Sequence, residues 1–98
     1  MASPVTVGTT AIIAVAKNTK REKVRFQNAS LTQTLYFVRQ LGTTANIPSA
    51  TNYEVALFPT TAVFDPNEAA WETDSTAQFN VVSSVAGGVL AILETKKV

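Results

Sequence analysis

Apolar and polar positions alternate most cleanly between Lys23 and Asn28. Val24 and Phe26 fall on one face, and Lys23 and Arg25 on the other. That period of two is the mark of a half-buried β-strand. After the polar turn Asn28-Ala29-Ser30 comes a second run, Leu35-Tyr36-Phe37-Val38, so Glu22 to Gln40 predicts a β-hairpin. The return strand is apolar on both faces. It therefore needs cover on its second face, either as a central strand between two layers or in a subunit contact.

The rest of the chain repeats the theme. Val5-Thr6-Val7 and Ala11 to Ala16 predict two strands, the first at a sheet edge because Pro4 lacks the N–H that a ladder needs. Tyr53 to Phe58 alternates again until Pro59 stops it, after a loop from Leu41 to Asn52 rich in turn formers. Ala77 to Val82 and Val89 to Glu94 predict two more strands. Gly87-Gly88, which tolerate positive φ, predict a second hairpin between them. Asp65-Pro66-Asn67-Glu68 carries helix-start chemistry: an Asp cap, Pro at the first helical position and a carboxylate three residues after the cap. A single helical turn running into Ala69-Ala70-Trp71-Glu72 is preferred to a turn at Asp65-Pro66 followed by a strand through Trp71. Met1 to Pro4 is expected to be a flexible N-terminal arm.

Seven or eight short strands joined by turns make an all-β protein. The expected architecture for residues 1–98 is a single antiparallel β-sandwich or jelly-roll-like barrel with at most one short helical turn. Ninety-eight residues suffice for one core. No linker or internal repeat divides the chain.

Composition narrows the chemistry. The chain has no Cys and no His, so it lacks disulfides, thiolates, the usual general base and the commonest metal ligand. Only 15 % of residues are charged, against roughly 25 % in ordinary soluble domains, and the resulting weakly polar surface suits either coverage by another subunit or a Thr-rich β-protein with nothing bound. The net charge of +1 hides an asymmetry. Residues 1–49 carry six basic side chains against Glu22, a net +5, and residues 50–98 carry two against six acidic ones, a net −4. Halves on different faces would let copies meet basic side to acidic side, and the alternative is that the signs intermingle once the sheet folds. Ala11 to Ala16 is far too short for a membrane span.

Candidate sites are few. Without His or Cys the familiar nucleophilic triads cannot be assembled. Asp65, Glu68, Glu72 and Asp74 read as helix capping and an acidic face, with a spacing that fits no cation loop. Nothing in the glycine spacing cradles phosphate. The basic run Lys17, Lys20, Arg21, Lys23 and Arg25 is the best candidate contact. Near-zero net charge and the lack of interleaved aromatic residues point away from nucleic acid, toward a solvated strand face or an acidic protein surface. Trp71, the only Trp, is the candidate anchor for a partner or, with Tyr36 or Tyr53, a platform for sugar rings. Asn28-Ala29-Ser30 matches a glycosylation acceptor but here reads as a turn.

Asn18-Thr19-Lys20-Arg21, then Val24-Arg25-Phe26-Gln27-Asn28-Ala29-Ser30, then Leu35-Tyr36-Phe37 resembles small β-sandwich proteins of tailed-phage particles, and the run from Phe79-Asn80-Val81-Val82 to Val89-Leu90-Ala91-Ile92-Leu93-Glu94 is similar to their endings. The resemblance implies a non-enzymatic virion protein without cofactor or small-molecule substrate. Its expected role is to decorate or cement the capsid shell, or to serve in a tail or head fibre. The implied partners are the major capsid protein, other virion subunits and further copies of the chain. Assembly would take place in the host bacterial cytoplasm.

Overall fold

A computed structural model describes residues 3–30, 32–40, 46–59 and 70–96. Eight strands succeed one another: β1 (Ser3–Val7), β2 (Ile12–Val15), β3 (Arg21–Asn28), β4 (Leu35–Gln40), β5 (Val55–Leu57), β6 (Ala70–Thr73), β7 (Gln78–Ser83) and β8 (Gly88–Lys96). There is no helix among the described residues. One sheet has the order β1-β8-β3-β6 and the other β2-β7-β4-β5, with every pairing antiparallel. Only β4 and β5 are neighbours both in sequence and in a sheet; every other step crosses between sheets. Two four-stranded sheets wound in this way make a jelly roll.

The winding corrects both expected hairpins. β3 lies in one sheet and β4 in the other, and the same holds for β7 and β8. Each strand of a pair has one strongly apolar face, and those faces bury most area when they oppose each other across two layers. Phe26 of β3 meets Phe37 of β4 with ring centroids 5.0 Å apart, and reaches Phe79 of β7 at 5.4 Å. The β3–β4 crossing is held by Asn28, whose buried amide donates to the carbonyls of Gln33 (2.7 Å) and Leu57 (2.8 Å) and whose Oδ1 accepts from Ser30 N (2.8 Å). The β7–β8 crossing uses Gly87 at φ 89°. Next to it, a side chain on Gly88 would meet Ser83 Oγ at 2.7 Å and Val7 O at 2.9 Å.

The expected helical turn is corrected as well. Ala70–Thr73 is strand β6, with Trp71 opposite Phe26 in register. Alternation with Trp71 and Thr73 inward and Glu72 outward brings the indole against Phe26, Phe37 and Phe79, a contact set that a strand supplies and a helical turn does not. The capping residues Asp65 to Glu68, and Ala69, lie outside the described residues. Ser3 and Pro4 belong to β1, at the sheet edge, with Pro4 opposite Ala91; of the expected arm, Met1 and Ala2 lie outside the described residues.

β4 and β8 are both central in their sheets, but neither lies between two layers, so the core covers only their inward faces. The inward core is Val7, Val24, Phe26, Leu35, Phe37, Leu57, Phe79, Val81 and Leu90, each side chain contributing about 1.5–3 kcal/mol on burial.

One end of the sandwich is closed by a charge. A register shift between Arg21 and Lys23 breaks the alternation of β3 and turns Arg21 inward, where it is 0 % exposed. Its Nε donates to Glu94 Oε2 (2.6 Å), Nη1 to the carbonyls of Ser75 (2.8 Å) and Ala77 (3.0 Å), and Nη2 to that of Ala16 (2.7 Å). One guanidinium thus ties the end of β2, the start of β3, the β6–β7 loop and β8.

Arg21→Ala is expected to destabilise the domain by about 3–5 kcal/mol in urea denaturation, because Glu94 and three carbonyls lose their donor. Arg21→Lys recovers less than half of this, since an ammonium cannot reproduce the planar fork. Gly88→Ala is expected to cost about 1–3 kcal/mol by the same measurement, as Val7 O is backbone and cannot yield.

Candidate functional site

The basic run does not form one patch. Arg21 is consumed inside the fold, which removes it as a partner-binding residue. Lys17 and Lys20 are exposed on the β2–β3 connection, and the Lys20 backbone N–H is held by Asn18 Oδ1 at 3.0 Å. Lys23 and Arg25 project from the outer face of the first sheet, where Arg25 stands opposite Glu72, and Lys23 shares a depression with Glu72 and Asp74. Arg39 pairs with Glu54 at 3.0 Å and Arg21 with Glu94 at 2.6 Å. Each of these contacts joins a cation of the first half to an acid of the second, so among the described residues the signs intermingle.

Trp71 is no exposed platform. It is half-buried, with its ring packed on the core against Phe26 at 6.0 Å and Phe79 at 5.3 Å. Glu72, on a strand, cannot form a helical i, i+4 pair with Glu68, which lies outside the described residues. No group of three or more His, Cys, Asp or Glu converges among the described residues. Asn28, the acceptor of the glycosylation-like triplet, is buried with its amide engaged.

Two surfaces remain. On the first sheet the central strand β8 turns Val89, Ala91 and Leu93 outward, beside Lys23, Arg25 and Gln27 of β3. A shallow hollow of about 110 Å³ runs between Arg25, Gln27, Ala91 and Leu93, and no element crosses this face among the described residues. The second sheet is different. Residues 46–54 of the β4–β5 connection lie over its outer face: Asn80 Nδ2 donates to Asn46 O (2.9 Å), and Tyr53 packs on Tyr36 with centroids 5.2 Å apart. Val38, on that same outward face, is 1 % exposed. The apolar second face of β4 is thus covered largely from within the chain. Sequence reasoning missed this strap; its one signal was the length of the β4–β5 connection and its wealth of Asn, Ser and Thr.

No family model, curated protein or solved structure matches the chain.

Because its only indole is half-buried against three Phe rings, Trp emission in the folded state is expected to be more blue-shifted and less quenched by acrylamide than in the unfolded chain. Full quenching should appear only in the urea transition. Quenching equal to that of free indole under native conditions would place Trp71 at the surface.

Proposed function

We propose that this chain is a non-enzymatic structural protein of a tailed-bacteriophage particle that decorates or cements the capsid shell. The observation that supports it best is the outer face of the first sheet, which no element crosses among the described residues. There a half-exposed apolar stripe on a central strand, Val89, Ala91 and Leu93, is flanked by Lys23 and Arg25 on one side. The resemblance of the Asn18–Ser30 and Leu35–Phe37 segments to small phage β-sandwich proteins supplies the class of partner. The jelly roll is compatible with it, since that architecture serves viral shells among other uses, although a fold alone does not assign a role.

The four strands, of five, nine, eight and four residues, at a spacing of about 4.8 Å and a rise of about 3.3 Å per residue present about 400 Å² per partner, so the contact extends past the sheet edges to reach the ~1,000 Å² that a specific interface needs. In this reading the protein straddles neighbouring capsid subunits, adds buried area where they meet, and self-associates around them. Lys23 and Arg25, beside the stripe, meet acidic groups of the shell locally, and assembly takes place in the host cytoplasm.

Peptide mass spectrometry of purified particles is expected to give a copy number comparable to the major capsid protein, with shells losing thermal stability when the chain is stripped. A handful of copies per particle would assign it to a tail or fibre, and absence from particles would overturn the proposal. Ala91→Glu, which places a charge in the stripe without touching the core, is expected to reduce occupancy at least tenfold, the effect of about 1.4 kcal/mol, while leaving the isolated domain's melting temperature within a few degrees.

A further inference from the structure

Fourteen residues separate β4 from β5, a length at which loops usually carry a function. The described part of that connection is firmly built. Asn52 Nδ2 donates to Asn46 Oδ1 (3.0 Å) and to Ile47 O (2.7 Å). Ser49 and Asn52 exchange backbone hydrogen bonds, and Asn46 is fixed to the Arg39 carbonyl at 3.0 Å. The segment stands as a wall over the second sheet.

Between wall and sheet lies an open depression of about 270 Å³. Its floor is Tyr36 and Val82, direct partners on β4 and β7. Pro48, Ser49 and Ala50 form one side, and Thr9 and Ser84 the other. Tyr53 packs against the Tyr36 ring and sets its orientation.

The lining selects a chemistry. It contains no charged side chain, so an ionic ligand would leave water without a counter-charge. It also carries several hydroxyls, so a purely apolar ligand would strip them of water and offer nothing back. The hydroxyls of Thr9 and Tyr36 have no hydrogen-bond partner among the described residues and are open to solvent. The Ser84 hydroxyl accepts from Thr34 N at 3.1 Å, which leaves its proton to donate. A pyranose ring matches this mixture, with C–H faces for Tyr36 and Val82 and neutral hydroxyls for the rim.

We propose that the depression between the 46–54 strap and the outer face of the β4–β7 pair binds a neutral hexopyranose unit of a glycan, with the Tyr36 ring as its platform. This site is separate from the first-sheet face and does not depend on the capsid role.

The test is a titration of the ¹⁵N-labelled chain with methyl α-glucopyranoside, methyl β-galactopyranoside and methyl N-acetyl-β-glucosaminide, with methyl glucuronide as the anionic comparison. At least one neutral glycoside is expected to give saturable shifts centred on Thr9, Tyr36, Ser49, Ala50 and Ser84. Its dissociation constant should be on the order of 1–10 mM, as suits a ligand of about twelve non-hydrogen atoms, and glucuronide should bind at least fivefold more weakly. Tyr36→Phe keeps the platform and should retain binding within about threefold, whereas Tyr36→Ala should abolish it. Ala50→Trp, at an exposed strap position, fills the depression without touching the core and should also abolish it. No saturable shift with any neutral glycoside at about 50 mM, shifts that survive Ala50→Trp, or equal affinity for glucuronide would overturn the proposal.

Discussion

Four aromatic rings hold the two layers in register. Phe26 and Trp71 come from adjacent strands of one sheet, Phe37 and Phe79 from adjacent strands of the other, and their centroids lie 5.0 to 6.5 Å apart. Tilted and edge-on contacts of this kind add to the area they bury. The quartet explains why successive strands change sheets. A hairpin of β3 and β4 would put Phe26 and Phe37 side by side on a single layer with one face still wet. Crossing over lets each ring roof the other.

Crossing between sheets leaves backbone groups at the ends of the sandwich that no ladder can satisfy, and two polar side chains take up that task. Asn28 bridges the β3–β4 arch to the end of β5, and Arg21 gathers three carbonyls and Glu94 at the opposite end. Both are fully buried and fully engaged. In a chain without cysteine or histidine, these polar clamps fix the strand ends in the way that a disulfide or a metal does elsewhere.

The outer faces then take different roles. The strap lies over the β4–β7 part of the second sheet and shapes a small uncharged hollow, while the first sheet keeps an apolar stripe beside charged side chains of both signs. Arg25 stands opposite Glu72, which places an acid beside what the linear sequence presents as a basic block. Association through this face is therefore governed by shape and apolar area more than by net field.

The alternation of Val24 and Phe26 with Lys23 and Arg25, the two-sided runs at Leu35–Val38 and Val89–Leu93, and Pro4 near the start were enough to determine an all-β sandwich with β1 at an edge and to mark β4 and β8 as strands whose second faces need cover. These features depend on side-chain period and hydrogen-bonding capacity, which are local. Whether β3 and β4 pair or oppose each other was decided only by the tertiary structure, because a period of two gives the buried face of a strand and not the neighbour beside it. The same holds for Ala70–Thr73, whose helix-start signal upstream yields to the burial of Trp71. It holds for Arg21 as well: one extra residue in β3 turns a nominal surface cation into the buried tie of one end. The hollow beneath the strap was out of reach of sequence for the same reason, since it is made by residues from Thr9 to Ser84 that only the folded chain brings to one place.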